Sequence, residues 1–301
     1  MATTIPGSGS PYADIPFPKV SWRTKLWRST PMALAYLAIL VLLVYAVFPF
    51  FWMVSTSLRS RAEIRTTDPS LLPDSLNWDN YQKVIFESSF LTYVRNSLIV
   101  SGTVTITTIV VATLAGYALS RFGTRRGVSV AGFGLIAGQL VPSVLLIIPL
   151  YLTMQSLGLL NSYWSLIITY TTFTVPLATL MLRGFFDQVS IEIEEAAEVD
   201  GCPAWLVVWR IVLPLATPGI MTTALYAFVT AWNEFLFAYT FITDDDRYTL
   251  TPGISVFMGI WTIDYGALMA AAVLGVLPVT LAYLYLQRFL IAGISAGATK
   301  G

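Results

Sequence analysis

The 301-residue sequence contains no histidine and one cysteine, Cys202. A disulfide takes two cysteines, and structural zinc centres draw on sets of cysteine and histidine. An internal disulfide framework and a zinc site of the usual kind are therefore excluded, and no other metal site is expected. Charge is scarce too, with 11% of residues charged against 56% hydrophobic, about half the charged fraction of an ordinary soluble domain. The formal net charge is zero, so no basic surface speaks for nucleic acid. A G-x-x-x-x-G-K-[ST] phosphate cradle is missing, so the chain is not expected to bind or hydrolyse ATP itself. No Ser/His pair or paired aspartates fall within the apolar stretches, which argues against an intramembrane enzyme. A proton-coupled secondary transporter would be expected to place several acids or histidines within its spans and to show internal repeats. Glu234 is the one acid firmly inside a span, and no convincing repeat is visible.

What the sequence does have is long runs without charge. They cover 29–58, 96–120, 127–182, 211–233 and 265–287, each long enough for a helix of about 20 residues to cross a bilayer. The third is long enough for two, and its polar, glycine-containing middle, Gln155 to Ser162, divides it into spans near 128–154 and 163–182. The fold class is thus all-α integral membrane, with six transmembrane helices. The run after Pro31 far exceeds a signal-peptide core and has no small-residue cleavage site to close it. Six crossings place both termini on one side. With the termini inside, the inner segments hold Lys19, Arg23, Lys25, Arg28, Arg121, Arg125, Arg126, Arg183, Arg210, Arg288 and Lys300, eleven of the seventeen basic residues, as the positive-inside rule asks. Residues 1–30 then form a cytoplasmic tail, 31–292 the membrane domain with a large inner loop at 183–214, and 293–301 a second cytoplasmic tail.

The inner loop is patterned. Ser190 is a good helix N-cap, and the carboxylates that follow it favour a helix start. At helical spacing Glu194, Glu195 and Glu198 group on one side, while Ile193, Ala196, Ala197 and Asp200 form a small-residue face on another. Gly201 supplies a stop and Pro203 can open a second helix. There Trp205, Val208, Trp209 and Val212 form a stripe suited to the membrane interface.

The series Glu195-Ala196-Ala197, three residues, Gly201, nine residues, Ile211, one residue, Leu213-Pro214 resembles, at every motif position, the EAA loop of binding-protein-dependent ATP-binding cassette (ABC) import permeases. Further resemblance is to the maltose-type carbohydrate permeases, in particular their six-span subunit. It rests on Asn96-Ser97, Ala231-Trp232-Asn233-Glu234-Phe235, Leu268-Met269-Ala270, Leu277-Pro278, Gln287-Arg288-Phe289 and the ending Ala296-Gly297-Ala298-Thr299-Lys300-Gly301. Cys202 and Thr299 depart from the usual alanine and valine. The resemblance implies a permease subunit of a bacterial ATP-driven importer of disaccharides or oligosaccharides in the cytoplasmic membrane. Glycerol-phosphate and polyol permeases share these motifs and remain open.

The resemblance also implies a heterodimer with a second permease subunit, a dimer of ATPase subunits that binds the ATP and Mg, and an extracytoplasmic sugar-binding protein. The segment from Glu195 to Pro214, with Asp200 inside it, would be the coupling helix between spans four and five, seated on the ATPase. The tail with Gly297, Lys300 and Gly301 would reach the ATPase dimer. Gly253, Phe257 and Trp261, at the last outer loop, are either interface anchors or contacts to the binding protein. Trp232, Asn233 and Glu234 offer an aromatic face, an amide and a carboxylate, the groups a sugar path uses. The alternative for Glu234 is that it is hydrated at the interface or hydrogen-bonded to a neighbouring helix as a structural lock. Gly102, Gly116, Gly132, Gly134 and Gly138 read as helix-packing positions.

Overall fold

A computed structural model describes residues 22–66, 70–259 and 262–298, and within these the side chains of 32, 34–66, 70–259 and 262–288. All regular structure among them is helical: α1 Trp22–Ser57, α2 Arg61–Ile64, α3 Asp79–Phe86, α4 Phe90–Phe122, α5 Arg126–Gln139, α6 Ile147–Ser156, α7 Tyr163–Phe186 and α8 Ile191–Val199. Then follow α9 Ala204–Leu215, α10 Thr217–Trp232, α11 Leu236–Phe241, α12 Leu250–Ile254 and α13 Tyr265–Ala298. Among the described residues, four helical stretches are long and apolar enough to cross a membrane: Leu34–Ser57, Phe90–Phe122, Tyr163–Phe186 and Tyr265–Arg288. Two bent pairs bring the number to as many as six if each pair is one span.

Two of the helical stretches are bent, the one near 128–154 within itself and the one at 211–233 where it leaves the inner loop. Arg126–Gln139 meets Ser143–Ser156 at 93°, around Pro142, and α9 meets α10 at 74°, at Ala216. Proline has no N–H to donate and disfavours helical geometry in the residue before it, here Val141. Pro214 and Pro218 flank the second break, with Pro218 in the first turn of α10, where its missing N–H costs nothing. Hydropathy carries no record of either bend, since the chain stays apolar through both.

α4 is rich in Thr, Val and Ile, residues with mediocre helix propensity in water. In an apolar medium every peptide group must be bonded internally, which favours the helix regardless. The hydroxyls are satisfied by the helix's own carbonyls: Thr103 donates to Ile99 at 2.7 Å and Thr105 to Ser101 at 2.7 Å. Two further pairs join α4 to α7, Thr108 with Thr174 at 2.7 Å and Thr107 with Thr171 at 3.0 Å. Gly116 makes the approach possible, because a Cβ there would lie 3.1 Å from the backbone of Thr179 and Arg183. Val100, Val104, Leu166, Ile167, Tyr170, Phe237 and Phe241 fill the adjoining core.

α3 is tied to the start of α13. The Lys83 ammonium meets the Asp264 carboxylate at 2.5 Å, and the same carboxylate accepts from the Ala267 amide at 3.2 Å, capping α13. Partial burial pushes the Asp264 carboxyl upward, but Lys83 and the Ala267 amide outweigh it and hold the group below the ordinary carboxylate range.

Candidate functional site

The inner loop forms an elbow. The Ser190 hydroxyl accepts from the Glu192 amide at 3.3 Å, which opens α8. At the other end the Gly201 amide donates to the Glu198 carbonyl and the Cys202 amide to the Ala197 carbonyl, both at 3.0 Å. These two bonds are the Schellman pair, and they require a left-handed residue at Gly201, whose φ is +83°. Pro203 caps α9 from outside rather than standing as its first residue. Ala197 and Cys202 pack onto a cluster of Ala112, Leu182, Phe186, Val207 and Val212.

Glu194 is placed differently from its expected grouping with Glu195 and Glu198. It is buried, 7% exposed, while Glu195, Glu198, Ala196 and Asp200 are exposed and Val199 is 87% exposed. On α8 the exposed residues are Ile191, Glu192, Ile193, Glu195, Ala196, Glu198 and Val199, while Glu194 and Ala197 turn inward. Glu194 can face inward because partners wait there. Arg121 Nε donates to it at 2.7 Å, and the Tyr117 hydroxyl to its other oxygen at 2.6 Å. Arg121, the first basic residue after an uncharged run, is the one sequence feature that could have pointed to such a partner.

The expected stripe on α9 is split. Trp205 and Trp209 are 66% and 67% exposed, whereas Val212 is buried and Val208 half-buried. Val208–Val212 form a π-helical turn, which takes one residue more per bond than an α-helix and shifts the register of everything after it. Of the remaining motif residues, Ile211 and Leu213 are half-buried against the cluster of Val207 and Val212, and Pro214 is exposed.

The residues at the end of α10 sit in a helix break. Trp232 is buried, stacks on Phe228 at 5.6 Å and donates its indole N–H to the Gly275 carbonyl at 3.3 Å. Asn233 is exposed. Glu234 is half-buried, and its carboxylate accepts from the amides of Phe237 at 3.0 Å and Ala238 at 3.1 Å and from the Tyr170 hydroxyl at 2.5 Å. The carboxylate thus occupies the positive end of α11, and the lock to a neighbouring helix is the arrangement observed.

On the opposite side, the segment 243–250 is held from several elements. Asn96 donates to the carbonyls of Asp246 and Tyr248, each at 2.9 Å, the Ser97 hydroxyl accepts from the Leu250 amide at 2.7 Å, and the Tyr93 hydroxyl donates to Asp245 at 2.6 Å. Asn161, left-handed at φ +57°, accepts through its side chain from the amides of Thr243 and Asp244, both at 3.1 Å. Gly253 is buried rather than presented: a Cβ there would lie 2.2 Å from the Tyr93 ring. Phe257 is half-buried on the same cluster, and among the described residues of the loop Val256, Met258 and Ile263 are exposed apolar ones. Trp261, Lys300 and Gly301 lie outside the described residues; Gly297 falls within α13, where no side-chain surroundings are described.

The model of the family described as binding-protein-dependent transport system inner membrane component matches residues 108–296. A sulfoquinovosyl glycerol transport system permease protein of Agrobacterium fabrum is 34% identical over 268 residues, 89% of this chain and 94% of that protein. A diacetylchitobiose uptake system permease protein of Streptomyces coelicolor is 34% identical over 263 residues, 87% of this chain and 94% of its own length. A trehalose/maltose transport system permease protein of Thermococcus litoralis is 33% identical over 272 residues, covering 87% and 94%. Among solved structures, a chain of a bacterial ABC transporter involved in import of the acidic polysaccharide alginate has the same fold, with a TM-score of 0.75 at 22% identity, covering 90% of this chain and 99% of that one.

Proposed function

Because the chain belongs to the family of binding-protein-dependent transport system inner membrane components, and is a multi-pass permease subunit of an ABC importer rather than an enzyme, we propose that its cargo is a sugar, a disaccharide or oligosaccharide. Three relatives named for sulfoquinovosyl glycerol, diacetylchitobiose and trehalose/maltose, all glycosides, support the cargo class. Membership implies a second permease subunit, an ATPase and a substrate-binding protein. In our reading the second permease is a different chain, the ATPase is a dimer that holds the ATP and Mg, and the binding protein meets the loop around Val256 and Met258.

The observation that carries the coupling role is the outward surface of α8. Glu195, Ala196 and Val199 are exposed on a short helix whose far end is fixed by the Schellman turn at Gly201, with an apolar residue, Val199, standing almost free of the fold. Ile191 and Ile193 are exposed on the same helix, at 51% and 44%, so it offers several apolar side chains to solvent rather than one, which suits docking by a partner. ATP binding would favour one arrangement of the two permease subunits over the other, and a ligand shifts such an equilibrium only by its differential affinity. Purification of the tagged chain from its native membrane is expected to bring an ATPase, a second permease and a binding protein with it. Reconstituted with them, it should take up maltose, trehalose or a chito-oligosaccharide only with ATP. Recovery of the chain without any ATPase would overturn this reading.

The charge bias supports an orientation with the tails 1–30 and 293–301, Arg125 and Cys202 on the cytoplasmic side and Asp245 outside. Single cysteines placed at 125 and 245 in a Cys202→Ala background test it with a membrane-impermeant maleimide on intact cells. Labelling is expected at 245 alone; labelling at 125 alone would reverse the topology.

A further inference from the structure

The elbow is continuous in sequence with α7 before it and with α9 and α10 after it, and those connections are the obvious route for its motion. A third connection exists that the chain order does not supply. Arg121 and Glu194 are buried to the same degree, with side chains 9% and 9% exposed, and lie 2.5 Å apart. Both carboxylate oxygens are engaged, one by Arg121 and the other by Tyr117. Arg121 also donates to the Val189 carbonyl at 3.0 Å and to the Ser120 hydroxyl at 2.9 Å, and Ser120 donates to Asp187 at 2.5 Å. With both oxygens held from α4, α8 cannot turn about its axis without carrying α4 or breaking a buried charge pair.

Removing two charges from water is expensive, and a buried pair adds little net stability over apolar packing of the same volume. The apolar cluster of Ala197, Cys202, Val207 and Val212 already seats the elbow. What the pair adds is direction: it fixes one angular setting of α8 on α4.

The opposite end of α4 carries a second set of grips. Tyr93, Asn96 and Ser97 bind Asp245, the Asp246 and Tyr248 carbonyls and the Leu250 amide. Between Asn96 and Arg121 the helix is uninterrupted, about 37 Å at a helical rise of 1.5 Å per residue. We propose that α4 is a rod with the elbow clasped at one end and the 245–250 segment at the other, and that Glu194, Arg121 and Tyr117 are positioning residues through which events at the ATPase face reach that segment. The inference rests on the elbow being the ATPase-docking surface.

Hydrogen exchange on the reconstituted complex tests it, with ATP plus orthovanadate as the probe. In the unaltered complex the amides of 191–202 and of 246–250 should both change protection, by at least about fivefold, the lower range of coupling between sites. In Glu194→Gln the first change should persist and the second should fall below about twofold. The paired variant Arg121→Gln with Glu194→Gln, which leaves no buried charge unmatched, should insert normally and show the same loss. A merely structural role for the pair would alter both segments together or neither. An unchanged response at 246–250 in both variants overturns the inference while leaving the docking role intact. No response at 191–202 in the unaltered complex, or no ATPase in it, overturns the docking role instead.

Discussion

Gly201→Val is expected to lower ATP-driven uptake by about tenfold or more while leaving the amount of chain in the membrane unchanged. A Cβ at this position would meet nothing within 4 Å, so the penalty at φ +83° starts in the backbone. A left-handed residue costs an L-amino acid about 1–2 kcal/mol, and a β-branched one pays toward the upper end. If the elbow gives up its Schellman bonds instead, the Cys202 and Gly201 amides lose their partners and α9 leaves at another angle. A penalty of about 1.4 kcal/mol shifts the equilibrium between the docking-competent elbow and the opened one about tenfold toward the opened form. Gly201→Asn is the control, because asparagine tolerates the left-handed region and is the next most frequent residue at this cap. It should retain several times the uptake of the valine variant. Uptake, membrane abundance and pull-down of the ATPase are measured together. Equal, full uptake by both variants would remove the elbow from the coupling path.

Gly253→Leu is expected to lower membrane abundance and thermal stability sharply, before any question of partner binding arises. A Cβ at this position would meet Tyr93 ring carbons at 2.2, 2.5 and 2.8 Å. The ring has little freedom to withdraw, being 3% exposed with its hydroxyl on Asp245 at 2.6 Å. Overpacking of this kind costs about 1–3 kcal/mol, more where backbone must move. Combining Gly253→Ala with Tyr93→Leu, which shortens the obstructing ring, should recover part of the loss relative to Gly253→Ala alone. Met258→Ser, at an exposed position of the same loop, should leave thermal stability unchanged. A Gly253→Leu protein that melts normally would mean that the loop, not the packing, accommodates the change.

Much of this arrangement is legible in the sequence where the cause is local. The uncharged runs mark the membrane helices, Ser190 marks the start of α8, and Gly201 marks its end, because capping and left-handed geometry depend on a few neighbouring residues. The misplaced side chains have a common origin in partners distant along the chain. Glu194 looks like one more carboxylate of a solvated face until Arg121 and Tyr117 arrive from α4, 73 and 77 residues away. Gly253 looks like part of an outer loop until Tyr93 is laid against it. Asn96-Ser97 is recognisable as a motif, yet only the fold discloses that it holds the segment ending at Leu250. The bends at Pro142 and Ala216 escape hydropathy because a turned apolar helix is as apolar as a straight one.

The grip of Asn96 on Asp246 and Tyr248 also sets a timetable. The residues are 150 and 152 positions apart, which at a synthesis rate of about 5–20 residues per second is roughly 8–30 s. For that interval the nascent α4 carries a carboxamide destined for complete burial, 0% exposed in the finished fold, without the carbonyls that will receive it. The tyrosine and serine on either side wait with it. A chain that stalls before residue 246 therefore presents an unfinished polar edge to whatever surrounds it during assembly, next to the apolar surface that Leu250 and Ala267 would have covered.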